Sequence, residues 1–258
     1  MSGIISTSTR QLRTAVAGLT CFAAAEEELL LLLAALPAGE QPPGHAPGSA
    51  EPGSPACWSA AAIVAHSTEF KQQQVQRLQA AHRGETPPAF AETDHLSAEV
   101  YRRYSRQAVP DVTAGSREVT AALLDGLSAT SDEDLLDPAR NPWLAGRQLW
   151  LQVIVRGFWH PLGHIAEYYL GHGAPDRACA LQSQAVEVAG YLNAPGMARG
   201  MAQFSLACAR ARSGYLDDAL AALRQSIELN PDLRARAGGE ADLAPLRDGG
   251  RLAALLAS

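Results

Sequence analysis

The sequence predicts an all-α protein, a bundle of four long helices followed by a region of helical hairpins. Three observations carry this. Ala and Leu dominate, and alternating β-branched runs are scarce. Apolar residues recur at helical spacing through four long segments. Past Gly173 the segments shorten, and small residues alternate with large ones as in closely packed helical pairs. The boundary between the two regions falls at 173, giving domains over 1–173 and 174–258.

The first helix has N-cap residues between Ser6 and Thr9 and an apolar stripe of Leu12, Val16, Leu19, Leu29, Leu33 and Leu36. It stops at Pro37. Residues 37–56 hold six prolines and four glycines, so they read as a disordered loop or a lid over a site. The second helix opens near Ser59, carries Ile63, Val64, Val75 and Leu78, and ends at Gly84. A third runs from about Ser97 to Leu127, with Pro110 expected to bend or divide it. Residues 128–143 form a turn region rich in capping side chains. The fourth helix starts near Ala145 and carries Leu149, Trp150, Val153 and Ile154.

The 258 residues carry a formal net charge of −6 with pI near 5.6. That disfavours a nucleic-acid surface, which needs a basic patch. Neither apolar run near the N-terminus reaches the ~20 residues of a membrane span, and Glu26, Glu27 and Glu28 separate them. Cys21, Cys57, Cys179 and Cys208 are scattered, without a Cys-x-x-Cys pair. Four free thiols suit a reducing compartment, so the expectation is a cytoplasmic protein that engages neither membrane nor nucleic acid.

The segment richest in chemistry is RGFWHPLGHIAEYYLGHG, residues 156–173. His160 and His164 stand four apart, about 40° and 6 Å from one another on a helix, so both imidazoles can reach one ion. Pro161 lies between them. Either the helix kinks near 157–161, or a new helix starts with His160 as its cap and Pro161 at its first position. Zinc asks for three or four ligands, so a third must come from another helix. His66 is the candidate, in the middle of the second helix among small and apolar residues. His45, His82, His95 and His172 lie in loops or at helix ends. Spacing alone leaves two readings open, a three-histidine metal site or ordinary core and capping histidines.

Trp58 opening a helix, His66 eight residues on, and a distant H-x-x-x-H near the end of the fourth helix resemble the DinB/YfiT-like superfamily over residues 7–173. The resemblance implies an up-down four-helix bundle holding a divalent metal, zinc or nickel, on His66, His160 and His164. It also implies thiol-dependent transferase or isomerase chemistry, or detoxifying hydrolysis, on a small molecule, with a low-molecular-weight thiol as a cosubstrate in some members. Superfamily bundles are often dimers, which admits a homodimer here. Pro161 and the 37–56 insertion depart from the pattern.

Around the triad, Glu69 follows His66 by three and Glu167 follows His164 by three. Either is a candidate base or a partner that orients an imidazole; solvated helix glutamates are the plainer alternative. Arg156 is a candidate anchor for an anionic substrate. Tyr101, Tyr104, Trp159 and Tyr168 are candidate pocket walls.

Beyond 173, Leu206, Ala219, Leu223 and Pro231 resemble the helix-pair pattern of a tetratricopeptide repeat, with Ala207 and Arg210 in place of its usual Gly and Tyr. Residues 174–203 read as a weaker pair before it. Two repeats are fewer than a free-standing array needs, so they are expected to lean on the bundle. Two functions follow: a metal-dependent enzyme acting on a small electrophile, or a non-catalytic metalloprotein scaffold whose repeats bind a protein partner.

Overall fold

The computed structural model describes residues 9–35, 58–88 and 108–257. The loop at 37–56, Tyr101, Tyr104, His45 and His95 lie outside the described residues. All regular elements among the described residues are helical.

Helix α1 spans Arg10–Ala34, α2 Ala60–His82 and α3 Val109–Ser128. Their starts follow the capping side chains. Thr9 Oγ1 accepts from the amide of Leu12 at 3.1 Å, and Ser59 Oγ from that of Ala62 at 3.2 Å. Past the end of α2, Gly84 takes the left-handed conformation at φ 71° that glycine accepts without strain. Within the described residues helix α3 begins at Val109, and Pro110 sits in its first turn, where the missing N–H would have had no partner. Ala108 before it is extended, so the chain does not run on through Pro110 as one bent helix; residues 97–107 of the expected helix lie outside the described residues.

After a short α4 (Asp132–Leu136) capped by Ser131, the fourth long segment begins at Leu149. Left-handed Ala145 and Gly146 precede it, which is why the start falls later than the apolar pattern suggested. Helix α5 (Leu149–Ile154) runs through a π-helical turn, Val155–Trp159, into α6 (His160–Gly171). The His160 amide donates to the Val155 carbonyl, five residues back. His160 itself is helical, at φ −62° and ψ −51°.

Pro161 is therefore not placed by a fresh helix start capped by His160; the irregularity expected near 157–161 takes the form of the π turn just before it. In a strict α ladder its ring would collide with the Gly157 carbonyl; one widened turn just before it relieves that constraint while the chain stays helical. Gly157 faces α1 so closely that a Cβ there would lie 2.6 Å from Leu19 Cδ2.

Helices α1, α2, α3 and the α5–α6 segment pack around a core that includes Leu19, Phe22, Ile63, Leu78, Leu123, Val153 and Ile165. Inside this bundle Lys71 is fully buried. Its Nζ donates to Glu26 Oε2 at 2.8 Å, Ser116 Oγ at 2.9 Å and Thr120 Oγ1 at 2.8 Å, tying α1, α2 and α3 at one point.

Helices α7 (Pro175–Tyr191), α8 (Gly196–Arg212) and α9 (Leu216–Leu229) follow. Then come α10 (Leu233–Gly239), a 3₁₀ turn (Ala241–Leu243), α11 (Ala244–Asp248) and α12 (Arg251–Ala257). Helix α7 packs on both α1 and α6, so the bundle core continues through Ala178, Leu181 and Ala185 into α8 at Ala202. A second core begins at Phe204 and includes Ala219, Leu223, Leu246 and Leu252. Helices α8 and α9 form a tight hairpin in which a Cβ on Gly200 would lie 2.6 Å from Asn230 Cβ.

Candidate metal centre

The three histidines expected to act together do meet. His66 comes from the middle of α2, His160 and His164 from the first turns of α6. One ring nitrogen from each lies within 4.8 Å of the others. His160 Nε2 and His164 Nε2 are 3.1 Å apart, close enough for one N–H to donate to the other's lone pair or for both lone pairs to meet a single cation. A tetrahedral ion with bonds of ~2.0–2.1 Å holds neighbouring ligand atoms ~3.3 Å apart, so this pair already stands at a ligating separation.

His66 is 1 % exposed, and its Nδ1 has no hydrogen-bond partner among the described residues. A buried polar atom in that state costs ~1–3 kcal/mol, so the imidazole has capacity that the protein around it does not use. Aromatic rings enclose it: Trp58 and Phe70 each lie 4.6 Å from its ring centre, and Phe70 reaches His160 at 5.6 Å. His164 is half-buried, and His160 is exposed at the rim.

This setting holds all three rings neutral, the state a metal ligand needs. Burial first, and then the charge of His160, pushes His66 down to about 3. Burial also holds His164 well below its usual range, with His160 and His66 adding to the effect. His160 is lowered by burial of its inner side and then by the Arg156 guanidinium. The donor set therefore fits a divalent cation: three imidazoles, uncharged, converging, one of them buried with an unused nitrogen.

Residues 22–168, from the middle of α1 through the triad, match the model of the DinB superfamily. The chain belongs to the DinB superfamily. This superfamily is one of metal-binding helical bundles, and His66, His160 and His164 are the residues that could hold the ion in this DinB-superfamily chain. Comparison with curated proteins and with solved structures gives no match. No helix among the described residues is long and apolar enough to cross a membrane.

The other candidate residues are distributed unevenly. Glu167 lines a cleft of about 410 Å³ that opens beside His160 and His164, and its carboxylate accepts a hydrogen bond from Arg212 of α8. Trp159 lines the same cleft, with its Nε1 buried and without a hydrogen-bond partner among the described residues. Glu69 lies elsewhere, in a groove between α2 and α3 with Gln72 and Glu118. Arg156 borders a second cavity on the far side of His160, shared with Arg147, Gln152 and Phe70, and its guanidinium lies over the Phe70 ring at 5.7 Å. Tyr168 stacks on His172 at 4.0 Å and does not line the cleft. His82 bonds Thr130, and His172 caps α6.

Two sets of site residues escaped the sequence reading. Phe70 had a signal, standing four residues after His66 on the same helical face. The outer wall of the cleft, with Phe204, Cys208 and Arg212 of α8 and Asp242 beyond it, had none. Cys208 serves there as wall: burial raises its thiol far above the usual range, so it stays protonated.

Proposed function

We propose that this protein is a metal-dependent enzyme acting on a small electrophilic substrate, by thiol S-transfer or hydrolysis, with zinc or nickel on His66, His160 and His164. The observation that carries the reading is the convergence of three neutral imidazoles beside a cleft large enough for a small molecule. Such an ion would keep its full charge on three neutral ligands and supply Lewis-acid chemistry, including a lowered pKa for a bound water or thiol.

The protein's own residues divide the remaining work. Trp58 and Phe70 exclude water from the inner side of the triad and fix the His66 ring. His160 and His164 present their edges to the cleft. Leu170 and Phe204 give the cleft apolar surface to receive a substrate body. Glu167, held by Arg212, is available to orient a polar group or accept a proton three residues from His164.

Metal analysis of purified protein tests this directly. The expected result is one divalent ion per chain, lost in His160→Ala and in His164→Ala. A screen of electrophiles, with and without low-molecular-weight thiols, then separates transfer from hydrolysis. Protein that never holds metal above trace level under any loading condition sinks the proposal.

A further inference from the structure

The cleft beside the triad also carries a charged cluster, built mostly by the C-terminal region. His160 and His164 line the cleft from α6, and Leu170, Phe204 and Ala209 give it apolar surface. With them stand the guanidinium groups of Arg212 and Arg236 and the carboxylates of Glu240, Asp242 and, from α6, Glu167.

These five charges are incompletely matched. Arg212 is bonded to Glu167, which closes that pair. Its other contact, with Asp242, is an ion pair at 3.5 Å, and Arg236 stands 3.5 Å from Glu240. At that distance the charges attract, but neither pair makes a hydrogen bond. Asp242 is half-buried, and burial holds its carboxyl above its usual range, as expected of a carboxylate short of donors. The Arg236 guanidinium is held over the Phe204 ring at 4.9 Å, with Nη1 3.9 Å from Met201 Sδ. Acceptors and donors therefore stand side by side in an open cleft, with capacity left for a ligand on Arg236, Glu240 and Asp242.

A ligand with only an anionic group would enter against three carboxylates. One with only a cationic group would offset the net charge of −1 that three carboxylates leave against two guanidinium groups, but would leave the Arg236 guanidinium without a hydrogen-bonded carboxylate. A zwitterion adds no net charge and supplies both missing partners, through charge-assisted hydrogen bonds. We propose that the cleft binds a small zwitterion, its ammonium held by Asp242 and Glu240, its carboxylate by Arg236 and Arg212, and its short apolar body along Phe204 toward the histidines. The inference deepens the enzymatic reading, on which it rests for the role of the histidines, and it makes the C-terminal region part of the substrate site.

Calorimetry on the full chain decides it, with metal content measured on the same samples. The probes are the ω-amino acids 3-aminopropanoate, 4-aminobutanoate and 6-aminohexanoate, whose separated charges chelate metal poorly. Each is compared with the carboxylate and the amine of equal length. At least one zwitterion should bind, with both singly charged counterparts weaker by about tenfold or more. Asp242→Asn and Arg236→Gln should each weaken it by about tenfold or more, with metal content unchanged. Arg236 is half exposed, so its variant folds whether or not Asp242→Asn does.

Absence of binding by all three zwitterions overturns the proposal. So does equal binding of a singly charged counterpart, or wild-type affinity in a folded variant. Zwitterion binding by protein that never takes up metal would sustain this proposal and sink the enzymatic one; metal without zwitterion binding would do the reverse.

Discussion

His66 is the residue on which the site turns, because it is held in the core with a ring nitrogen that nothing among the described residues satisfies. His66→Phe should abolish metal binding while leaving the metal-free protein as stable or more stable by about 1–3 kcal/mol, since it removes that orphan and keeps most of the volume. Metal stoichiometry and the melting temperature of the metal-free form check both halves.

The same burial makes stability depend on pH. His66 is depressed from its ordinary value to about 3, so between those limits the unfolded chain binds a proton that the folded chain refuses. Its contribution is fully present above ~6.5 and is lost as pH falls toward 3. Metal-free protein should lose about 2 kcal/mol from His66 alone on going to pH 5, a fall of ~4–8 °C in Tm. His164 and His160 shift in the same direction and steepen the loss. A flat Tm between pH 7 and 5 would contradict the site's buried, neutral character.

At this scale the sequence was legible where spacing carries the information. His160 and His164, four apart, identify each other. Phe70 could have been found from His66 by the same rule. Arg212 and Asp242 could not, because no helical period relates them to the histidines; tertiary packing brings them there.

Among the elements, the α5–α6 segment is the least regular and the most consequential. Gly157, in its π turn, lets α1 approach to the point where a Cβ would overlap Leu19. Gly157→Ala should cost about 1–3 kcal/mol in chemical denaturation and weaken metal binding, because the adjustment falls three residues before His160. Helix existence was readable from apolar periodicity, and the starts of α1 and α2 from their capping residues Thr9 and Ser59. The start of α5 was not, because the left-handed Ala145–Gly146 turn sets it through a backbone constraint that an apolar pattern does not record. The π turn was hidden for the same reason: Pro161 announced a disturbance without saying which form it takes.

Across the whole molecule, two features hold the parts together. The first is the buried node of Lys71, Glu26, Ser116 and Thr120. Lys71→Met leaves a buried carboxylate without its partner and should cost about 3–5 kcal/mol, most of it recovered when Glu26→Leu is added. A double-mutant cycle by denaturation measures this. The second is the core that runs from the bundle through α7 into α8. All four tryptophans, at 58, 143, 150 and 159, lie before the hairpins, whereas helices throughout the chain contribute to circular dichroism. If the shared core couples the regions, tryptophan fluorescence and circular dichroism should give one denaturation midpoint. Two separated transitions would mean that the C-terminal helices unfold independently.

The π turn at Val155–Trp159 also has a bearing on how this chain tolerates insertion and loss. A π turn is an α-helix carrying one surplus residue. The surplus is absorbed within the widened turn: π-helical residues advance less about the axis than α-helical ones, so Val155–Trp159 lag by about the ~100° of one α residue. Forcing all five into a strict α ladder would swing His160 and His164 away from His66, and Glu167 away from Arg212. The irregular turn thus holds the phase of α6 despite one residue too many, and a deletion within it is the change that should regularise the helix while the three histidines still face one another.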